Sequence, residues 1–280
     1  MRIGQVYSHP VTPNGGIPQG TKFAPLLFAI LVNNLCRDWR YRIKYVDDTL
    51  VFESIPRCSP SYLPFNAANI NTYASMRNMR LNEKECKDMV INFLKYQPTV
   101  IKPIQLNGIV IYRISSYKLL GVIISNDLSW NEHCDSIHKN ATKRLFVLRT
   151  LKRVGLGTND LVLVDCSIVR SIFEYASPVW AAIPLNLDEL IESVQRKALK
   201  IIFGRVDYTE ALVLAGLESL SDRRVGACKR FMATARQMSP LKNIIPTPAA
   251  FESHYSMRVQ LPRQHGHTRI INDFVTYKFQ

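Results

Sequence analysis

Apolar and polar positions change rhythm partway along the chain. Up to Ile124 the apolar residues come in short runs, several alternating with polar ones, which predicts short strands mixed with helices. After Ser129 the period lengthens to nearly 3.6: Trp130, Cys134, Ile137, Ala141, Leu145, Leu148 and Leu151 mark one face of a helix whose N-cap is Ser129. Further helices follow over Asn159 to Tyr175 and Asp188 to Phe203, then a short one centred on Ala211 and one over Ser221 to Met238. In the third helix Leu190, Ile191, Val194, Ala198, Ile201 and Ile202 form the inner stripe. Ahead of these, a Pro/Gly-rich loop (Pro10 to Gly20) leads into a helix from about Phe23 to Cys36, with Leu26, Leu27, Ile30 and Leu31 toward the core. A hairpin follows around Asp47 and Asp48, then a helix over Asn66 to Met79 and strands over Met89 to Phe93 and Ile104 to Tyr112. The last of these contains the turn signal Asn107-Gly108. The run from Tyr117 to Ile124 reads as half of another hairpin. The fold class is therefore α+β, with a mainly helical second half and, beyond Pro240, an extended tail whose Ile270-Ile271 and Phe274-Val275 could dock on the body.

Composition supports a packed core, since 47% of the 280 residues are hydrophobic. Charge sharpens the picture. Lys and Arg number 36 against 22 Asp and Glu, a formal +14, and this favours a polyanionic partner, nucleic acid before a membrane surface. Half of that excess lies from Ser221 onward, where ten basic residues meet three acids. Six cysteines are too scattered, in too long a chain, to suggest a disulfide framework. There is no C-x-x-C, and His254, His265 and His267 have no cysteine nearby, so a zinc knuckle is not supported. Pro25 interrupts the longest apolar run, Phe23 to Val32, which is too short for a bilayer, and no signal pattern opens the chain. The expectation is an intracellular protein without a membrane span, in nucleus or cytoplasm.

Two places carry candidate chemistry. At Tyr45-Val46-Asp47-Asp48, adjacent carboxylates sit where a hairpin turns, and carboxylates on a rigid turn suit Mg²⁺ or Mn²⁺, which take oxygen ligands and leave room for substrate phosphates. An ordinary surface turn explains Asp-Asp equally well. Gly16-Ile17-Pro18-Gln19-Gly20 precedes the first helix, where glycines admit a close ligand and the helix N-terminus offers N–H groups. A plain capping loop is the other reading.

Taken in order, these segments resemble the reverse transcriptases of non-LTR (LINE-type) retrotransposons. Pro18-Gln19-Gly20 with Pro25-Leu26-Leu27-Phe28 is similar to motif B of that family, and Tyr45-Val46-Asp47-Asp48 to motif C. Leu81-Asn82 through Lys87 falls at motif D, and Leu119-Leu120-Gly121 resembles the primer-grip segment. The stretches Tyr175 to Trp180 and Gln195 to Ile202 resemble the helical thumb and the region downstream of it. The resemblance implies a partial palm over 1–125, a helical thumb and downstream region over 126–239 and a basic tail over 240–280. It implies RNA-templated DNA synthesis with Asp47 and Asp48 on the catalytic metals and Lys84 as a proton donor to the leaving pyrophosphate. Pro18, Gln19, Gly20 and Tyr45 would lie at the nucleotide and template, Leu120 and Gly121 at the primer, and Arg196, Lys197 and Lys200 on nucleic acid, unless these three simply form a solvated helix face. RNA template, DNA primer and deoxynucleoside triphosphates are the implied partners.

Three departures bear on activity. No Asp or Glu precedes Asp38, so the aspartate of motif A and the fingers are expected from an upstream segment, without which the chain is expected to be inactive. Relatives commonly have lysine directly before Cys86, where this chain has Glu85. Ala24 stands where glycine is usual. A nucleic-acid-binding remnant and a helical protein-interaction scaffold are the alternative functions.

Overall fold

The computed structural model describes residues 2–3, 6–7, 9, 20–37, 39, 41–56, 59–79, 81–93 and 101–238. Packing divides the chain into two units, Met1–Ile114 and Ser115–Gln280. Pro18, Gln19 and the tail over 240–280 lie outside the described residues.

In the first unit, strands β1 (Arg2–Ile3) and β2 (Val6–Tyr7) pair antiparallel, and helix α1 (Ala24–Val32) is followed by the hairpin β3 (Arg42–Tyr45) and β4 (Asp48–Val51). Helix α2 (Leu63–Met76) comes next, then the short strands β5 (Lys87–Asp88), β6 (Gln105–Leu106), β7 (Ile109–Val110) and β8 (Tyr112–Arg113). Two expectations fail here. Helix α1 does not turn Leu26, Leu27 and Ile30 toward a core; all three are exposed, because Ala-Pro-Leu-Leu-Phe-Ala-Ile-Leu-Val is apolar on every side and so has no inner face to choose. Residues 89–93 form no strand; β5 lies just upstream and pairs in parallel with β8. That pairing is fixed by Asp88, which is buried and takes the Arg113 guanidinium at 2.7 Å. The Asn107-Gly108 signal does mark a two-residue hairpin, between β6 and β7, with both residues at positive φ (50° and 78°), as a type I′ turn requires. Ala67 of α2, Leu106 and Ile111 make a small core beneath it.

The second unit starts with hairpin β9 (Ser116–Leu119) and β10 (Val122–Ser125), so the segment read as half a hairpin is a whole one, and β10 packs on the helix that follows. Helix α3 (Asn131–Arg153) then leads to α4 (Thr158–Val164), a π-helical stretch (Asp165–Arg170), α5 (Ser171–Glu174), α6 (Leu185–Phe203), α7 (Tyr208–Ala215) and α8 (Leu220–Ala235). On α3 the periodic stripe is buried at Cys134, Ile137, Ala141, Leu145 and Leu148, and it packs on Ile191, Val194, Ala198 and Ile202 of α6. Each fully buried Leu or Ile contributes about 1.5–3 kcal/mol, so this seam carries much of the unit's stability. Ser129 does not cap α3. Its backbone N–H is taken by the Asp127 carboxylate at 2.9 Å, and α3 starts without a side-chain cap. The side-chain caps sit instead at Asp207 for α7 and Ser219 for α8.

Two buried polar groups in this unit oppose each other in their response to pH. Asp165 is fully buried with neither carboxylate oxygen hydrogen-bonded, and desolvation pushes its pKa up to about 6 while Arg170 draws it down only in part. His133 lies between the rings of Trp130 and Trp180, and its Nδ1 accepts the Ile123 N–H at 3.3 Å. Its Nε2 has no partner, and burial pushes its pKa down to about 4. Asp165 therefore stabilises the fold only while protonated: its contribution is complete below about 4 and is lost as pH rises through 6. For His133 the folded form resists protonation, so stability is lost as pH falls from 6.5 toward 4. Asp165→Asn, which keeps the protonated shape, is expected to stabilise the unit by about 2–3 kcal/mol at pH 7.5 and by nothing near pH 4. Urea unfolding across that range measures the difference; an equal gain at both pH values would refute it.

Candidate metal-binding hairpin and nucleic-acid interface

The β3–β4 hairpin pairs Tyr45 with Asp48 across a two-residue turn, Val46-Asp47. Such a turn needs positive φ at its first central residue, and Val46 supplies it at 54°, which is strained for a β-branched side chain. Successive side chains alternate in direction along β3, and the half-buried ones are the basic ones. Lys44 Nζ donates to the carbonyls of Val32 (2.6 Å) and Asn33 (3.2 Å), and the Arg42 guanidinium donates to the Cys36 carbonyl. The end of α1 and the loop after it thus take their donors from the strand, and Tyr73 of α2 adds its hydroxyl to the Leu31 carbonyl at 2.9 Å. Desolvation, then the neighbouring Arg42, pushes the Lys44 pKa down. The open end of the hairpin is closed by the Phe52 N–H on the Tyr41 carbonyl and the Trp39 indole on the Phe52 carbonyl, both 3.0 Å, with the Tyr41 and Phe52 rings 5.4 Å apart.

With the basic residues turned inward, the other side of the hairpin is apolar and uncovered: Ile43, Tyr45, Val46 and Leu50 are all exposed. Asp47 and Asp48 are exposed at the tip. Among the described residues no group of three or more His, Cys, Asp or Glu side chains is placed to hold a metal ion. A pair of adjacent, accessible carboxylates nonetheless suits Mg²⁺, which binds through one or two carboxylates together with substrate phosphates. Lys84 lies in an exposed turn and makes no hydrogen bond or ion pair with either aspartate; its carbonyl accepts from Lys87 Nζ at 2.8 Å.

Gly20 has φ +83° and nothing within 4 Å of where a Cβ would stand, so backbone sign and open space both hold there. The helix N-terminus after it offers fewer donors than the sequence suggests. The Ala24 N–H is taken by the Thr21 hydroxyl at 3.2 Å, and Pro25 has no N–H.

In the second unit, Leu120 (φ 46°) and Gly121 (φ 88°) form the tip of β9–β10, and the Tyr175 hydroxyl donates to the Leu120 carbonyl at 2.6 Å. Arg196, Lys197 and Lys200 lie on the outer side of α6, where all three are exposed. Arg196 lies over the Tyr208 ring at 5.4 Å, and Lys197 is near enough to His138 to help burial push that imidazole's pKa down. Helix α3 adds exposed Lys139, Lys143, Arg149 and Arg153, a basic surface that the sequence could have shown through the run without any acid from Ser136 to Asn159. Lys152, in contrast, is structural, donating to the Ile201 and Ile202 carbonyls at the end of α6. No described helix is long and apolar enough to cross a membrane.

Over 221 residues the chain is 24% identical to the probable RNA-directed DNA polymerase from transposon BS of Drosophila melanogaster. The match covers 72% of this chain and 24% of that protein, so the chain spans about a quarter of the relative's length. This likeness supports a relation to reverse transcriptases. No family model and no solved structure matches the chain.

Strain at Val46 has a measurable consequence. Val46→Gly relieves the positive φ and is expected to stabilise the hairpin by about 1 kcal/mol, the low end of what one strained residue costs. Amide exchange at Phe52, whose N–H closes the strand pair, should slow by roughly fivefold; faster exchange would show that the turn is unstrained.

Proposed function

We propose that the chain is part of an RNA-directed DNA polymerase of the non-LTR retrotransposon kind, acting in template-directed nucleotidyl transfer. The observation that carries the reading is the Tyr45 to Asp48 hairpin, with two accessible carboxylates at a strained turn braced by α1, together with the similarity to a transposon polymerase. Asp47 and Asp48 would hold Mg²⁺ or Mn²⁺, which would neutralise charge on the triphosphate. The primer 3′-hydroxyl attacks the α-phosphate and pyrophosphate leaves, with Lys84 as the proposed proton donor. Pro18, Gln19, Gly20 and Tyr45 are assigned to the nucleotide and template, Leu120 and Gly121 to the primer. In this reading a further segment, carrying another carboxylate and covering Ile43, Tyr45 and Leu50, completes the site. An apolar face left open beside a polar tip supports that requirement.

Holding the RNA–DNA hybrid falls to the basic helices. Phosphate contacts release counterions, so affinity should fall steeply with salt. Replacing Arg196, Lys197 and Lys200 by Gln together is expected to lower the slope of log affinity against log salt by roughly one for each phosphate no longer neutralised. Fluorescence anisotropy with a labelled hybrid reads that slope, and an unchanged slope would leave the three residues as a solvated face. No affinity even at low salt would favour a helical scaffold for protein partners instead.

The catalytic assignment is tested by primer extension on an RNA template with Mg²⁺, using a longer chain that includes the completing segment. Asp47→Asn is expected to reduce extension by at least about a hundredfold, in keeping with the loss of electrostatic stabilisation at a reacting centre. Extension that survives this change would remove Asp47 from the chemistry, and extension by the 280 residues alone would refute the need for a further segment.

A further inference from the structure

Tyr175 occupies a position that the proposed reaction does not yet use. It follows α5 in extended backbone (φ −62°, ψ 124°), and its hydroxyl reaches 55 residues back along the sequence to the Leu120 carbonyl at 2.6 Å. The ring lies on Gly121 so closely that a Cβ there would stand 3.2 Å from Tyr175 Cε1. Gly121 thus meets two demands at once, positive φ in the β9–β10 turn and the close approach of a ring. The comparable glycine of the β6–β7 turn, Gly108, meets only the first, with nothing within 4 Å.

Tyr175 is itself fastened from behind. The indole of Trp180, fully buried, donates to the Tyr175 carbonyl at 3.1 Å, and the Val179 N–H donates to the Ala176 carbonyl at 2.9 Å, closing the chain between them into a tight loop. Just upstream, the Glu174 carboxylate takes both Nε and Nη2 of Arg223 on α8, at 3.0 and 3.2 Å. A bidentate guanidinium–carboxylate pair fixes direction as well as distance. The ring of Tyr175 therefore projects from a braced corner, and more than half of the residue is exposed beside the turn it contacts.

We infer that Tyr175 is a positioning residue, fixing the Leu120–Gly121 turn so that its backbone can support the 3′ end of a polynucleotide strand. The inference rests on the polymerase reading for the identity of the strand, and on geometry alone for the clamp. A turn left to itself samples several conformations; one tied by a hydroxyl and covered by a ring does not, and a strand end must be held within a fraction of an ångström to react.

Tyr175→Phe tests it, because the ring stays and only the hydroxyl goes. Amide exchange at Val122, next to the turn, is expected to speed up about tenfold while exchange in α3 and α6 is unchanged; equal rates at Val122 overturn the clamp. With an RNA–DNA hybrid whose primer carries a photoreactive 3′-terminal base, the wild-type chain is expected to crosslink at Leu120 or Gly121. The Phe variant should keep its affinity for the hybrid within about twofold and lose at least fivefold of the crosslink at that turn. Crosslinking equal to wild type, or a wild-type crosslink elsewhere, overturns the positioning role. Gly121→Ala should reproduce the loss, and Gly108→Ala should not. If the wild-type chain binds no hybrid, the polymerase reading and the strand-end role fall together, and the exchange rates still decide separately whether Tyr175 fixes the turn.

Discussion

The helical unit is organised around Trp180. Its indole is wholly buried, with the His133 ring 5.5 Å away and the Arg224 guanidinium 5.2 Å from it, and Arg224 in turn pairs with Asp188 at the start of α6. One side chain thereby gathers α3, α6 and α8, three helices distant in sequence. A buried guanidinium is tolerable only when paired, and here the carboxylate and the aromatic face share the task. The single polar atom of the indole is spent on the Tyr175 carbonyl, which a helix end would otherwise leave without a donor. From that bond follow the corner after α5, the projection of Tyr175 and the fixed turn of β9–β10.

In the first unit the organising need is different: the end of an almost wholly apolar helix must find donors. Helix α1 has no basic residue in its last turn, so the carbonyls of Leu31, Val32, Asn33 and Cys36 are served by Tyr73, Lys44 and Arg42. This requirement turns the polar side of β3 toward the protein and its apolar side outward, the reverse of a strand lying on a core. The aspartate-bearing tip is thus carried by a hairpin held through hydrogen bonds at its base, and its apolar side is left for another surface.

How much of this the sequence could show depended on how many residues repeated the same signal. The stripe on α3 spans the whole helix, and its buried positions come out as the periodicity predicts. For α1 periodicity gave no such guide, since a helix apolar on all sides carries no directional information. The segment from Asn159 to Tyr175 reads as one helix because a π-helical stretch, Asp165–Arg170, changes the winding without changing the composition. The pairing of β5 with β8 depends on a salt bridge between residues 25 apart in sequence, which no local pattern announces. At the site, Asp47 and Asp48 were visible as residue types, and the ordered motifs around them supplied the family resemblance. What could not be read was that Arg42 and Lys44 face inward, because alternating charge along a strand normally means solvent. Nor was the use of Tyr175 legible, since a tyrosine in a loop looks the same whether it is free or clamps a turn far behind it.

Three two-residue hairpin turns that lie within the described residues have three solutions to one backbone problem. A two-residue turn compatible with strand twist demands positive φ, which costs ordinary residues roughly 1–3 kcal/mol and glycine almost nothing. At Asn107-Gly108 the residues are those that accept the geometry freely, and nothing crowds the glycine. At Leu120-Gly121 one residue accepts it and the other, a leucine at φ 46°, has its carbonyl bound by Tyr175. At Val46-Asp47 the first residue is β-branched, among the worst side chains for φ 54°, and the hairpin below it is fastened to α1. Strain rises along that series as the turn chemistry becomes less free to change. A sequence selected for stability alone would place Asn-Gly or Asp-Gly at all of these tips. Both tips that depart from it carry residues assigned to the proposed chemistry, so the outlying backbone at Val46 is itself an independent reason to look for function at the neighbouring Asp47 and Asp48.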